Sequence, residues 1–97
     1  MVDDIRELTS EDFARAIPRR QRERIMRGQI DPVKDIVALR RFAGLTQGGF
    51  AEALSISVHT LRNWEQGRRN PEGPAVALLR IAARHPRALR ENRAASA

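Results

Sequence analysis

With 97 residues the chain has room for one compact domain and an appendage. Aromatic residues make up only 4 % of it, which argues against a large core, and the absence of cysteine excludes a disulfide framework and a thiolate metal site. The formal charge of +6 is unevenly spread. Residues 1–30 hold seven arginines against six acids, whereas residues 31–97 hold eleven lysines and arginines against six acids, so most of the excess lies in the second part and favours a polyanionic partner.

Residues 1–30 are polar, arginine-rich and interrupted by Pro18 and Gly28. Ser10 can cap a first helical piece, EDFARAI, and Pro18 can open a second, RRQRERIMR. The apolar residues Ile5, Leu8, Phe13, Ile17, Ile25 and Met26 are too sparse for a core of their own. Isolated helices shorter than about 12–15 residues are marginal in water. The segment is therefore expected to be a weakly ordered arm that folds on a partner, with a frayed tail as the bland alternative.

Residues 31–43 read as the first helix of a domain spanning residues 31–97, started by Asp31 with Pro32 and stopped by Gly44. Val33, Ile36, Val37, Leu39 and Phe42 form its apolar side. Two short helices follow, from about Thr46 to Leu54 and from about Val58 to Gln66. Thr46 and Ser57 are placed as N-caps. Phe50, Ala51 and Leu54 share one face of the first, Leu61 and Trp64 one face of the second, and Val58, His59, Arg62 and Asn63 stay outside. That is the layout of a helix-turn-helix, in which the second helix offers its exposed side chains to the major groove. After the loop GRRNPEG, Pro74 opens a helix whose apolar stripe, Val76, Leu78, Leu79, Ile81, Ala82 and Ala83, is wider than a small domain needs. Some of it is expected to face a second subunit. Pro86 opens a last short helix, and ENRAASA reads as a frayed end. No stretch alternates like a β-strand, so the chain is expected to be all-α.

The string Gln47–x–x–Phe50–Ala51–x–x–Leu54, continued by Ser57–x–x–Thr60–Leu61–Arg62–x–Trp64–Glu65–x–Gly67–x–Arg69–x–Pro71, resembles the Cro/C1-type (XRE) helix-turn-helix family. The resemblance covers about residues 32–90 and implies a five-helix DNA-binding domain. The continuation GPAVALLRIAARHPRAL and the extra N-terminal segment are similar to the HigA-like antitoxins of bacterial toxin–antitoxin pairs. There are departures. Gly48 and Gly49 lie inside a helix, where each costs roughly 0.8–1 kcal/mol relative to Ala. Ser55 stands at a turn position where the family often has glycine, which suits a positive φ.

The expected DNA contacts are Gln47, Ser57, Val58, His59, Arg62, Asn63, Arg68 and Arg69. Asn can bridge adenine N6 and N7, Arg can bridge guanine O6 and N7, and Val can touch a thymine methyl. The resemblance implies that the Gln47 amide reaches a phosphate and braces the reading helix. It also implies that Glu65, poorly placed for the helix dipole, pairs with Arg40 or Arg41. Arg68 and Arg69 suit phosphates. The plain reading of the same residues is a solvated polar face. Trp64 is expected inside with Leu61 rather than stacked on a base.

His59 and His85 lie on separate elements, and no cluster has metal-ligand spacing or an acid–base pair. No cofactor, metal or catalytic residue is expected, and a small basic ribonuclease is the weakest alternative. No apolar run reaches a membrane span and MVDDIREL is unlike a signal peptide, so no membrane contact and a cytoplasmic location are expected. By resemblance, the partners are double-stranded operator DNA, a second copy of the chain, and a cognate RelE-family (HigB-like) ribonuclease toxin. The toxin would be held by Ile5, Leu8, Phe13, Ile17, Ile25 and Met26 of residues 1–30. A stand-alone or phage-type repressor, its arm binding DNA through Arg19, Arg20, Arg22, Arg24 and Arg27, is the rival.

Overall fold

Short helices with defined caps need neighbours to become stable, and the arrangement here supplies them. The computed structural model describes residues 16–96. Among these are six helices and no strand: α1 (Arg19–Met26), α2 (Pro32–Ala43), α3 (Gln47–Leu54), α4 (Val58–Glu65), α5 (Pro74–Arg84) and α6 (Pro86–Ser96). No helix among the described residues is long and apolar enough to cross a membrane. Among the described residues the all-α expectation holds. Five helices lie from residue 32 onward, and α1 packs against them as a sixth.

The local signals act as the sequence suggests. Thr46 Oγ1 accepts from the Gly49 N–H at 3.1 Å, and Ser57 Oγ accepts from the Thr60 N–H at 3.0 Å. Gly44 ends α2 in the left-handed region, at φ 74°. Ser55 ends α3 at φ 58°, the same conformation without the freedom of glycine. Helix α2 starts at Asp31 and Pro32 as expected. Asp31 makes no side-chain cap bond, and the Asp35 carboxylate instead accepts from the Asp31 N–H at 2.7 Å.

The core joins Ile36 and Leu39 of α2, Phe50 and Leu54 of α3, Leu61 and Trp64 of α4, Leu79 of α5 and Leu89 of α6. Ile25 of α1 belongs to it and is fully buried. This corrects the reading of α1 as part of a weakly ordered arm. Apolar periodicity is sparse there because polar bonds do much of the docking. Helices α1 and α5 run antiparallel and each supplies an arginine to the other's last turn. Arg22 Nε donates to Ala83 O at 2.7 Å, and Arg80 Nε donates to Met26 O at 2.9 Å. Carbonyls that a helix end leaves without partners are thus satisfied in both directions. The Arg22 guanidinium also lies 5.3 Å from the centre of the Phe42 ring.

A second polar tie joins α1 to α2. Asp35, 1 % exposed, accepts from Arg24 at 2.7 and 2.8 Å and from Gln21 Nε2 at 2.9 Å. Burial pushes its carboxyl up, but the bonds from Arg24, Gln21 and the Asp31 N–H, with the charge of Arg24, outweigh this and hold it below the usual value. The Arg24 guanidinium is raised in turn, chiefly by its hydrogen bond to Asp35.

Two further expectations change. Val33 is 54 % exposed, because it sits in the first turn of α2, beyond the end of the core and beside Gly67. The C-terminal stretch is part of an eleven-residue helix rather than a frayed end. Its Asn92 Nδ2 donates to Ala53 O at 2.6 Å, and Arg93 Nε meets Glu52 Oε2 at 3.1 Å. Gly49 permits this approach, since a Cβ there would lie 3.2 Å from Arg93 Nε. Gly48 has open space around it, and nothing in the structure explains a glycine there.

Candidate nucleic-acid interface

Helix α4 is divided lengthwise by burial. Leu61 and Trp64 face the core, 0 % and 5 % exposed. His59 and Arg62 are exposed, and Asn63 is half-buried. Val58 is half-buried and packs partly against the core, so only part of its side chain is free to reach a base. Ser57 is exposed at the helix start, where its hydroxyl serves as the cap and lies 2.9 Å from Thr60 Oγ1.

The loop after α4 folds back on it. The Asn63 carbonyl accepts from the N–H groups of Arg68 and Arg69 at 2.9 and 3.3 Å, and Gly67 takes φ 74° to allow the turn. Arg68 and Arg69 are exposed as a result, while Pro71 is buried and anchors the loop's far side. His59, Thr60, Asn63 and Arg69 line one shallow recess of about 390 Å³. The structure therefore brings His59, Asn63 and Arg69 together, with Arg62 on the same helix and Arg68 beside it.

Behind α4 lies a polar chain that sequence reasoning found only in part. Glu65 pairs with Arg40 rather than Arg41, Nε to Oε2 at 2.9 Å and Nη2 to Oε1 at 3.3 Å. This pairing answers the unfavourable placement of an acid in a last helical turn. Gln47 Nε2 also donates to Glu65 Oε1, at 2.9 Å, and Gln47 Oε1 lies 3.5 Å from Arg62 Nε. Gln47 is thus half-buried between α3 and α4 and already partnered on both ends of its amide. No local signal announces this link, because the residues lie 15 to 18 positions apart.

Among the expected partner anchors, Ile25 is a correction: it is fully buried in the core and has no surface to offer. Ile17 and Met26 are partly buried against the same core. Ile5, Leu8 and Phe13 lie outside the described residues. No group of three His, Cys, Asp or Glu that could hold a metal is found among the described residues.

Residues 36–94 match the family described as a helix-turn-helix domain, a span that holds α3, α4 and the Arg40–Glu65 pair. The chain belongs to that family. A curated relative, Antitoxin HigA-2 of Vibrio cholerae serotype O1, is 47 % identical over 55 residues, which are 57 % of this chain and 53 % of the relative. The chain thus spans about half the length of the curated relative it matches. No solved structure matches. For this helix-turn-helix chain, the likeness agrees with the resemblance read from Gln47 to Pro71 and with its extension to HigA-like antitoxins.

Proposed function

We propose that the chain is a DNA-binding antitoxin that neutralises a RelE-family (HigB-like) ribonuclease and, as a homodimer, represses its own operon. The observation that carries the DNA half is the lengthwise division of α4: one side fixed by Leu61 and Trp64, the other displaying His59, Arg62 and Asn63, with Arg68 and Arg69 alongside. A reading helix must be rigid on one side and free on the other to enter a major groove. In this reading Asn63 and Arg62 address base edges, Val58 meets a thymine methyl, Ser57 and His59 lie at the groove entrance, and the loop arginines take phosphates.

Dimer formation is assigned to α5, where Leu78 and Ile81 are 39 % and 51 % exposed. Two copies paired there would read half-sites roughly 34–36 Å apart. The antitoxin half is supported by the likeness to Antitoxin HigA-2. Since Ile25 is committed to the core, toxin contact is placed in the residues before the docked helix, with Ile5, Leu8 and Phe13 as apolar anchors. The acids Asp3, Asp4, Glu7, Glu11 and Asp12 would oppose a cationic RNA site.

The rival, a stand-alone repressor with a DNA-binding arm, is weakened by two of its five arginines. Arg22 holds carbonyls of α5 and Arg24 holds Asp35. Deleting residues 2–15, which spares Ile25, separates the halves. The truncated chain is expected to bind its upstream DNA as before in fluorescence anisotropy and to lose inhibition of the toxin's RNA cleavage. Inhibition retained by the truncated chain would move the toxin site to the helical domain. Asn63→Ala should weaken binding by about 1–3 kcal/mol at one base pair, and an unaltered sequence preference would remove it from the reading set.

A further inference from the structure

The Gln47 amide stands between a mostly buried carboxylate and an exposed guanidinium. Both Glu65 oxygens accept from Arg40, and the Glu65 side chain is only 8 % exposed. A carboxylate bound to a guanidinium in this way offers lone pairs and no proton. The end of Gln47 that meets it at 2.9 Å must therefore be the NH2 group. This turns the amide oxygen towards the surface, where Arg62 Nε lies 3.5 Å away. Gln47 is the one side-chain partner Arg62 has among the described residues.

We propose that Gln47, oriented by Glu65, is a positioning residue that holds Arg62 end-on for a guanine. This rests on the DNA-binding reading above and names the base that one part of the surface takes. A free arginine side chain has many rotamers to lose on binding. An acceptor behind Nε removes some of that freedom in advance and leaves Nη1 and Nη2 without a partner among the described residues. Those two nitrogens are the pair that matches guanine O6 and N7. The amide oxygen that faces outward would repel a phosphate, and only one N–H, on the inward nitrogen, remains for one. Gln47 thus acts on the duplex through Arg62 more than as a phosphate ligand.

The test is selection from a random duplex library by the full chain and by Gln47→Met, Arg62→Met and the double variant, each first checked by thermal unfolding. Methionine keeps the length of the side chain and removes both the amide donor and the acceptor. Gln47→Met is expected to reduce the preference for guanine at one base pair by about fivefold or more, the lower end of what a bidentate contact discriminates. The affected base pair should be the one lost in Arg62→Met, and the double variant should be no worse than Arg62→Met. In the free protein, the Arg62 Nε–H resonance should be resolved in the wild type and collapse into the exposed-arginine signals in Gln47→Met. A Gln47→Met chain that binds every sequence more weakly while keeping its guanine preference would make Gln47 a phosphate ligand and overturn the inference. A wild type that selects no sequence would overturn the DNA-binding reading and this inference with it. Selection by the wild type with an unchanged profile in Gln47→Met would overturn the inference alone.

Discussion

The α1–α2 junction and the α2–α3–α4 junction are built from the same three groups. In each, a carboxylate accepts two bonds from one arginine and a third from the NH2 of a glutamine: Asp35 with Arg24 and Gln21, Glu65 with Arg40 and Gln47. They differ in where the glutamine leads. Gln21 NH2 also approaches Lys34 O at 3.5 Å, so its bonds stay within the junction. Gln47 passes its oxygen to Arg62 on the exposed side of α4. One cluster closes a joint, and the other has an outlet to the surface proposed to meet DNA. The difference teaches that a buried ion pair of this kind can be read for function only by following its last hydrogen bond.

Removing Asp35 should have the largest effect. Asp35→Ala removes the buried acceptor shared by Arg24, Gln21 and the Asp31 N–H and is expected to cost about 2–3 kcal/mol in urea unfolding, with loss of α1 docking visible as amide exchange over 19–26. Glu65→Ala should cost about as much or somewhat less, but unlike Asp35→Ala it should also alter sequence selection by the DNA-bound chain. Equal effects of the two on selection would erase the contrast between the clusters. Acid separates them further. The Asp35 carboxyl is held below its ordinary value of 3.8, so its contribution to stability is complete above about pH 4 and is lost as pH falls through the lower folded value. Asp35→Asn should therefore flatten the acid limb of a stability–pH curve. The smallest effect is expected at Gly48, where open space surrounds the missing side chain. Gly48→Ala should raise stability by about 1 kcal/mol and leave both clusters intact, as a shift of the melting temperature would show.

What could be read from the sequence was local. The caps Thr46 and Ser57, the stop at Gly44 and the inward pair Leu61–Trp64 follow from side chains within one or two turns of each other. The exposure of His59 and Arg62 follows from the same periodicity, and that of Arg68 and Arg69 from their place in the loop after Gly67. The docking of α1 does not, because Arg22 and Arg80 find their carbonyls 61 and 54 positions away and neither bond leaves an apolar pattern. For the same reason the C-terminal helix looked like a loose end: it is tied down by Leu89 together with Asn92, which reaches Ala53 O. Glu65 was legible as a structural acid through family resemblance. That Gln47 would share it was not, since nothing in a glutamine's neighbours says which end of its amide points where.

Gly67 has a reach beyond its size. A Cβ there would stand 2.8 Å from Val33 Cγ2, and the backbone already holds φ 74°, so a side chain is strained there and either Val33 or the loop must shift. The Asn63 carbonyl binds that loop through two N–H groups, which makes the two arginines and the end of α4 one stiff bracket. A substitution at this glycine would skew the bracket while every side chain proposed to touch nucleic acid kept its chemistry, and the defect would be one of aim.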